Sequence, residues 1–288
     1  MTDTDARVWF ITGASSGLGE ALARHVLSRG HRAVVTARDS ARLQHLVSQF
    51  GEDQVLALTL EVTRPADIDA GVAAAIERFG RIDVLVNNAG TILFGMIEDG
   101  DIAGARALFN TNVWGLTAMT RAVLPGMRAR RSGTIVNISS KAGIAGFATT
   151  GFYSASKFAV EGLSEALAQE VAPLGIKVLI AAPGAFPTGI SDAPLASFAA
   201  SATNEDYRAM KEETVNYIQQ AGDTAPGDPA RIAAAIFKAV QSDNPPLRLL
   251  LGSDTLELAR GKIEQLDKTI DTWEVVSRSA DAIKKQAI

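Results

Sequence analysis

Tyr153 and Lys157 stand four positions apart in Tyr-Ser-Ala-Ser-Lys, at the opening of a helical stretch, FYSASKFAVEGLSEALAQEVAPLG. On a helix that spacing stacks the two side chains on one face. An ammonium beside a phenol favours the phenolate and pulls the phenol below its ordinary pKa of about 10. A tyrosine so tuned can pass a proton near neutral pH. Ser140 ends the apolar run GTIVNISS, thirteen residues before Tyr153. A strand end, a loop and a helix start can bring both hydroxyls to one point. That point lies at the carboxyl end of a parallel sheet, where doubly wound proteins bind ligands. Asn87-Asn88-Ala89-Gly90 closes an earlier strand, and Asn112 sits in FNTNVWG inside a helical stretch.

A second cluster lies near the start of the chain. The run Val8 to Thr12 leads straight into Gly13-Ala14-Ser15-Ser16-Gly17-Leu18-Gly19, and the helical pattern EALARHVLSRG follows. Glycines between a strand and a helix let the backbone turn sharply and approach a pyrophosphate. The helix start then presents unpaired N–H groups and its positive dipole end to the anion. Ser15 and Ser16 can add hydrogen bonds to phosphate. The end of the second strand sets cofactor choice, since a carboxylate there holds the adenosine 2′-hydroxyl of NAD. Here it reads Val35-Thr36-Ala37-Arg38-Asp39. Ala37 is small and neutral, and Arg38 can pair with a 2′-phosphate. The expectation is NADP(H) in preference to NAD(H).

The elements that must position these groups follow one rhythm. Short β-branched runs, apolar on both faces, start at Val8, Ala33, Val55, Val84, Thr134, Lys177 and Leu247. Helical stretches lie between them. Ser40 precedes ARLQHLVSQF, in which Leu43, Leu46 and Val47 share a face, and Pro65 opens a helix ending at Gly80. This alternation reads as βαβ units: an α/β fold with a doubly wound parallel sheet and helices on both faces. No linker or repeat divides the chain, so one domain over 1–288 is expected, with a core over about 6–252. Residues 185–226 show no strand, and 189–225 reads as a long substrate loop or lid. Beyond 252, Leu256, Ala259, Ile263, Leu266, Ile270 and Trp273 mark one apolar stripe on a terminal helical extension. That stripe is expected to dock on its own domain, or else to form a lid or subunit contact.

Composition removes several alternatives. The 288 residues carry 28 Lys plus Arg against 32 Asp plus Glu, a net charge of −4. A weakly acidic chain lacks the basic field of nucleic-acid binding. The absence of cysteine removes disulfides, thiolate catalysis and iron–sulfur chemistry. His25, His31 and His45 show no metal-ligand spacing and no evident carboxylate partner, so no metal site is expected. No apolar run reaches about 18 residues, so no membrane span is expected. The acidic N-terminal residues before a short apolar run do not resemble a secretion signal, and a cytoplasmic protein is expected.

TGASSGLG, NNAG, NTNVWG, the serine of NISS, YSASK and PGAFPTG occur in one order across about residues 6–252. With them the chain resembles the single-domain short-chain dehydrogenase/reductase family. The resemblance implies a seven-stranded Rossmann-type sheet, a nicotinamide cofactor and a tetrad of Asn112, Ser140, Tyr153 and Lys157. In that scheme Tyr153 protonates a carbonyl oxygen that Ser140 holds, and hydride comes from the nicotinamide. Lys157 holds ribose hydroxyls, and Asn112 positions a water linking Lys157 to solvent. Asn88, Ala89 and Gly90 would lie on the adenosine ribose side. Pro183 and Gly184 precede Thr188, which resembles the residue that binds the nicotinamide carboxamide. Glu61 stands where the family commonly has Asp near the adenine.

Three segments surround the expected substrate: Thr91 to Phe94, Ala142 to Phe152, and Gly189 to about Gln220, with Ile190, Leu195, Phe198 and Tyr207. They are apolar and carry no cationic clamp, so an apolar ketone or aldehyde and the matching secondary alcohol are expected. Family members commonly pair through helices matching about 101–129 and 152–172, implying a homodimer or homotetramer. The alternative reading is a catalytically silent NADP(H)-sensing regulatory protein of the same fold. Loss of the tyrosine or lysine would mark it, and both are present.

Overall fold

All four residues of β1 (Val8–Ile11) are buried, because helices cover both faces of the sheet to which it is central. The computed structural model describes residues 6–186, 192–224 and 226–282. β1 is followed by β2 (Arg32–Ala37), β3 (Val55–Thr59), β4 (Val84–Asn87), β5 (Gly133–Ile138), β6 (Ile176–Pro183) and β7 (Arg248–Leu251). All pairings are parallel, in the order β3-β2-β1-β4-β5-β6-β7. The expected seven-stranded, doubly wound Rossmann-type sheet is the observed one.

Alternation along β1 divides the core. Trp9 and Ile11 join the layer of α1 (Gly17–Ser28), α2 (Gln44–Phe50) and α9 (Pro229–Val240). Val8 and Phe10 point to the other face, against α3 (Pro65–Phe79), α5 (Leu116–Arg130) and α6 (Gly151–Val171). After β3 the chain returns to the far side of β1 to form β4. This reversal leaves the carboxyl ends of β1 and β4 side by side with no helix over them, the crevice in which such sheets take ligands.

Local signals mostly act as expected. Pro65 starts α3, and Gly80 ends it in the left-handed conformation at φ 78°. At Ser40 the cap is one residue earlier. The Asp39 carboxylate accepts the Ala41 N–H at 3.0 Å, capping a short turn over Ser40–Leu43, and α2 begins only at Gln44. The segment expected as a long loop holds two helices, α7 (Asp192–Ala200) and α8 (Arg208–Thr224). α7 is apolar on all sides, so it shows no clear helical period. Leu195 and Phe198 of α7 are instead buried against Phe94 and Met96 from the segment after β4. α4 (Ile102–Phe109) runs into α5 through a π-helical turn, Asn110–Gly115, and α10 (Ser253–Arg278) closes the order. Among the described residues no helix is long and apolar enough to cross a membrane.

His31 is almost fully buried, accepting the Arg7 N–H at Nδ1 (3.2 Å). Burial, then the Arg7 cation, holds its pKa below the ordinary 6.5, although Asp83 pulls the other way. Below pH 6.5 the unfolded chain takes up a proton that the native imidazole refuses. Stability is therefore full above 6.5 and falls as pH drops from there through the folded pKa. Urea midpoints at pH 7.5 and 5.5 check this: His31→Gln is expected to lose less stability over the interval than the native chain. An equal loss excludes the assignment.

Candidate functional site

The glycine turn is held too tightly for side chains at two positions. Gly13 lies at φ 66°, and a Cβ there would meet the Ala89 Cα at 2.9 Å. A Cβ on Gly19 would sit 2.4 Å from both the Gly13 carbonyl oxygen and the Asn88 amide nitrogen. Gly17 is also left-handed, at φ 59°, and Leu18 is buried beneath the turn. Ser15 is half-buried, and Ser16 is exposed and extended as the N-cap of α1, with no side-chain cap bond. The start of α1 thus faces the crevice with its N–H groups open to an anion.

Asn88 straps this turn rather than facing outward. Its amide donates to the carbonyls of Thr12 (2.9 Å) and Gly13 (3.0 Å). The N–H groups of Asn88 and Ala89 both donate to Thr12 Oγ1 at 3.0 Å. Ala14 N–H reaches Thr36 O at 2.9 Å, tying the turn to the end of β2. Arg38, just beyond, is exposed. The neighbouring Asp39 carboxylate is turned back onto its own cap, and Glu61 accepts from Thr63 N–H at 3.3 Å. Of the three charges near this strand end, Arg38 is the one without a local bond among the described residues.

Ser140 lies beside Tyr153, and its hydroxyl acts to lower the phenol pKa. Ser140 is extended after β5, and its Oγ also accepts from Ala142 N–H at 3.1 Å. Lys157 is buried one turn along α6 and donates to the Ile138 carbonyl at 2.8 Å. Its Nζ stands 5.7 Å from the Tyr153 ring centre. Asn112 lies in the π-helical turn and clamps Thr91, accepting from its N–H and donating to its carbonyl, both at 2.9 Å. Its second amide hydrogen goes to Ser156 Oγ at 3.1 Å. Both Asn112 amide hydrogens are spent on protein, so any water it holds must donate to it.

One expectation is corrected here. The tyrosine was expected to be acidified by the lysine. Instead, burial holds the Tyr153 pKa above its ordinary value of 10, with the Ser140 hydroxyl working the other way. Burial also draws Lys157 from 10.5 down to about 8, while the Glu161 carboxylate opposes that fall. Burial is the largest influence on both groups, and the ammonium is engaged with Ile138. A phenol in this state keeps its proton at neutral pH and is ready to donate it.

Several positioning residues escaped the sequence reading. Asn87 donates to Thr120 Oγ1 (3.0 Å) and Asn137 Oδ1 (2.9 Å), and Asn137 donates to Ser164 Oγ (2.8 Å). This buried chain locks β4 and β5 to α5 and α6; its signal was an asparagine inside an apolar strand. The second is Asp254, at the start of α10. It accepts from Ala185 N–H (3.1 Å) and Lys141 Nζ (3.0 Å), joining the loops after β6 and β5. Pro183 ends β6, and Gly184 packs so closely on Asp254 that a Cβ would lie 1.9 Å from Oδ1. Burial favours the protonated acid, but the Ala185 and Lys141 bonds win and hold the Asp254 pKa below 3.8. The clamp is therefore intact above pH 3.8 and lost as pH falls through the folded pKa. Asp254→Ala is expected to lower Tm by about 2–4 °C at neutral pH, read by calorimetry. An unchanged Tm removes the clamp.

Gly90 abuts Asn112, whose Oδ1 would lie 3.2 Å from an added Cβ. Thr188 and Ile190 lie outside the described residues. Phe94, Leu195 and Phe198, expected around substrate, are buried against one another, with the Phe94 and Phe198 rings stacked at 6.0 Å. They dock α7 on the segment after β4. Among the histidines, His45 does have a carboxylate partner, Glu20 at 3.0 Å. That pair is an exposed tie between α1 and α2. No group of three metal-ligating side chains occurs among the described residues.

A parallel sheet reversed at β1 and β4, an anion-ready glycine turn and two hydroxyls above a buried lysine define a nucleotide-binding α/β protein. Comparison with known proteins narrows this. The short chain dehydrogenase family model matches residues 7–196, and the chain belongs to that family of oxidoreductases. It is 39% identical over 246 residues to a 3-ketodihydrosphingosine reductase of Bacteroides thetaiotaomicron, covering 85% of this chain and 88% of that protein. The crystal structure of a short-chain dehydrogenase from Streptomyces avermitilis superposes with TM-score 0.86 at 41% identity, covering 98% of this chain and all of that one. A Burkholderia phymatum family member in complex with NAD gives TM-score 0.80 at 25% identity, with full coverage of both chains.

Proposed function

We propose that this chain transfers hydride between NADP(H) and an apolar ketone or aldehyde, or the matching alcohol, with Tyr153 as general acid and base. The observation that carries the reading is buried Lys157, bonded to Ile138 at the end of β5 with its Nζ 5.7 Å from the Tyr153 ring centre, and Ser140 beside the same tyrosine. Bound NADPH would supply the hydride. The open turn at Gly13, Ser15, Ser16, Gly17, Leu18 and Gly19 fits its pyrophosphate, because no Cβ fills the cradle. Arg38, exposed and without a local bond, suits a 2′-phosphate, whereas Asp39 is spent on its cap. The Burkholderia neighbour carries NAD, so this preference rests on residues 37–39 of the present chain.

In the reducing direction Ser140 donates to the substrate oxygen, and Tyr153 passes its proton there as negative charge develops. Lys157 spends one hydrogen on Ile138 and keeps two for ribose hydroxyls. Its charge also steadies the phenolate that remains. Asn112 holds Thr91 and so fixes the wall of the crevice. The lid over 192–224 rests on apolar contacts, which suits an apolar substrate, and the Bacteroides relative is named for a ketone substrate. Trp114, Phe158 and Leu163 are exposed on the helices spanning 102–130 and 151–171, supporting a homodimer or homotetramer through those helices.

NADPH absorbance with a panel of ketones and aldehydes tests the reading. Apolar ketones are expected to be turned over, and Arg38→Ala to raise KM for NADPH about 10–100-fold while leaving KM for NADH nearly unchanged. Better use of NADH by the native chain, or strict preference for a charged sugar or an acyl-carrier substrate, overturns it.

A further inference from the structure

The last helix leaves its own domain after two turns. Thr255 and Ala259 of α10 are buried, but every residue from Arg260 to Arg278 is exposed. At 1.5 Å per residue the free stretch runs about 28 Å. Most helical stability comes from packing an apolar face, and this stretch buries none of its residues on the described chain. The stripe expected to dock on the parent domain does so only at Ala259. Beyond it Ile263 is 69% exposed, Leu266 57%, Ile270 54% and Trp273 57%.

The spacing of this stripe says what kind of surface it meets. Leu256, Ala259, Ile263, Leu266, Ile270 and Trp273 are separated by three, four, three, four and three residues. That is a strict heptad seam, narrower than the stripe a helix presents to a globular core, and it fits another helix. The positions flanking the seam are Arg260 and Lys262 in the first heptad, then Asp267 and Thr269, then Glu274 and Val276. The flanks are thus basic near the domain and acidic toward the far end. Over the whole helix, six acids outnumber four bases, which disfavours an anionic lipid surface.

We propose that α10 pairs with α10 of a second copy of this chain, antiparallel about a two-fold axis, the Ile263–Trp273 seam of each closing on the other. The two-fold sets Arg260 of one helix opposite Glu274 of its copy at both ends of the seam, while Asp267 meets its own copy near the axis. Four half-exposed or freer apolar side chains offer on the order of 500 Å² per copy. With the stems of the flanking charges, this approaches the ~800 Å² per partner of a stable interface.

Light scattering of the full chain at micromolar concentration tests the pairing. Ile263→Glu with Ile270→Glu is expected to halve the particle mass while turnover per subunit stays unchanged, since neither residue lies near the crevice. Arg260→Glu alone is expected to weaken association about tenfold. Adding Glu274→Lys should restore it. The chain has no cysteine, so a Ser277→Cys variant reports direction. In the antiparallel pair the two thiols lie about 25 Å apart and do not crosslink; rapid disulfide formation means a parallel pair and overturns the geometry. Unchanged mass in the double glutamate variant overturns the proposal. So does a monomeric native chain that binds phosphatidylcholine–phosphatidylserine vesicles through α10.

Discussion

Tyr153→Phe is expected to lower kcat about 10³-fold while the dissociation constant for NADPH changes no more than about threefold. The asymmetry follows from where the hydroxyl sits. It lies beside Ser140 near the carboxyl end of the sheet, and the ring that carries it keeps its place when the oxygen goes. Stopped-flow absorbance gives turnover, and fluorescence titration gives binding. The pH profile adds a second readout. The phenol pKa is raised, so the acid form persists through neutral pH. The first group to titrate on the alkaline side is then Lys157, near 8. Reduction by the native chain should decline as pH rises through that value, because a neutral amine no longer steadies the phenolate. Full turnover by Tyr153→Phe would place the proton donor elsewhere. It would also exclude the silent, cofactor-sensing reading, because the chain would be turning substrate over.

How much of this was legible in the sequence depends on distance along the chain. The central strands were marked by β-branched runs buried on both faces, while the edge strand β7, RLLL, was marked only by a short apolar run. The glycine turn and Tyr153–Lys157 were legible for the same reason: their partners lie within one turn of strand or helix. Ser140 was reached by spacing alone. What stayed hidden depends on contacts across the fold. Asp254 joins residues 141 and 185, and no local pattern foretells such a contact. The helices over 192–224 rest on Phe94, about a hundred residues upstream, and α7 is apolar on all sides, so no local period foretold it. The tyrosine's acidity was misjudged because spacing shows the neighbouring cation but not the loss of water around both groups. Only the packed structure shows that Lys157 is itself dehydrated and bonded to Ile138.

Gly19→Ala is expected to weaken NADPH binding at least about 100-fold, a larger effect than removing any single hydrogen bond from the crevice. A methyl group there would be 2.4 Å from the Gly13 carbonyl and 2.4 Å from the Asn88 amide. Neither neighbour is the loose end of a flexible chain. Gly13 is backbone held at positive φ, and the Asn88 amide is fixed by two bonds of about 3.0 Å to the turn itself. Something must open, and either movement pulls the turn away from the phosphate position. Methyl groups on glycines in general are not the cause, and Gly261→Ala isolates the point. Nothing lies within 4 Å of a Cβ at Gly261, so that variant should bind NADPH normally and gain about 1 kcal/mol of helix stability. Fluorescence titration of the two variants side by side checks the contrast. Normal NADPH affinity in Gly19→Ala would mean that the strap can yield without moving the turn, and the pyrophosphate would then have to bind elsewhere in the crevice.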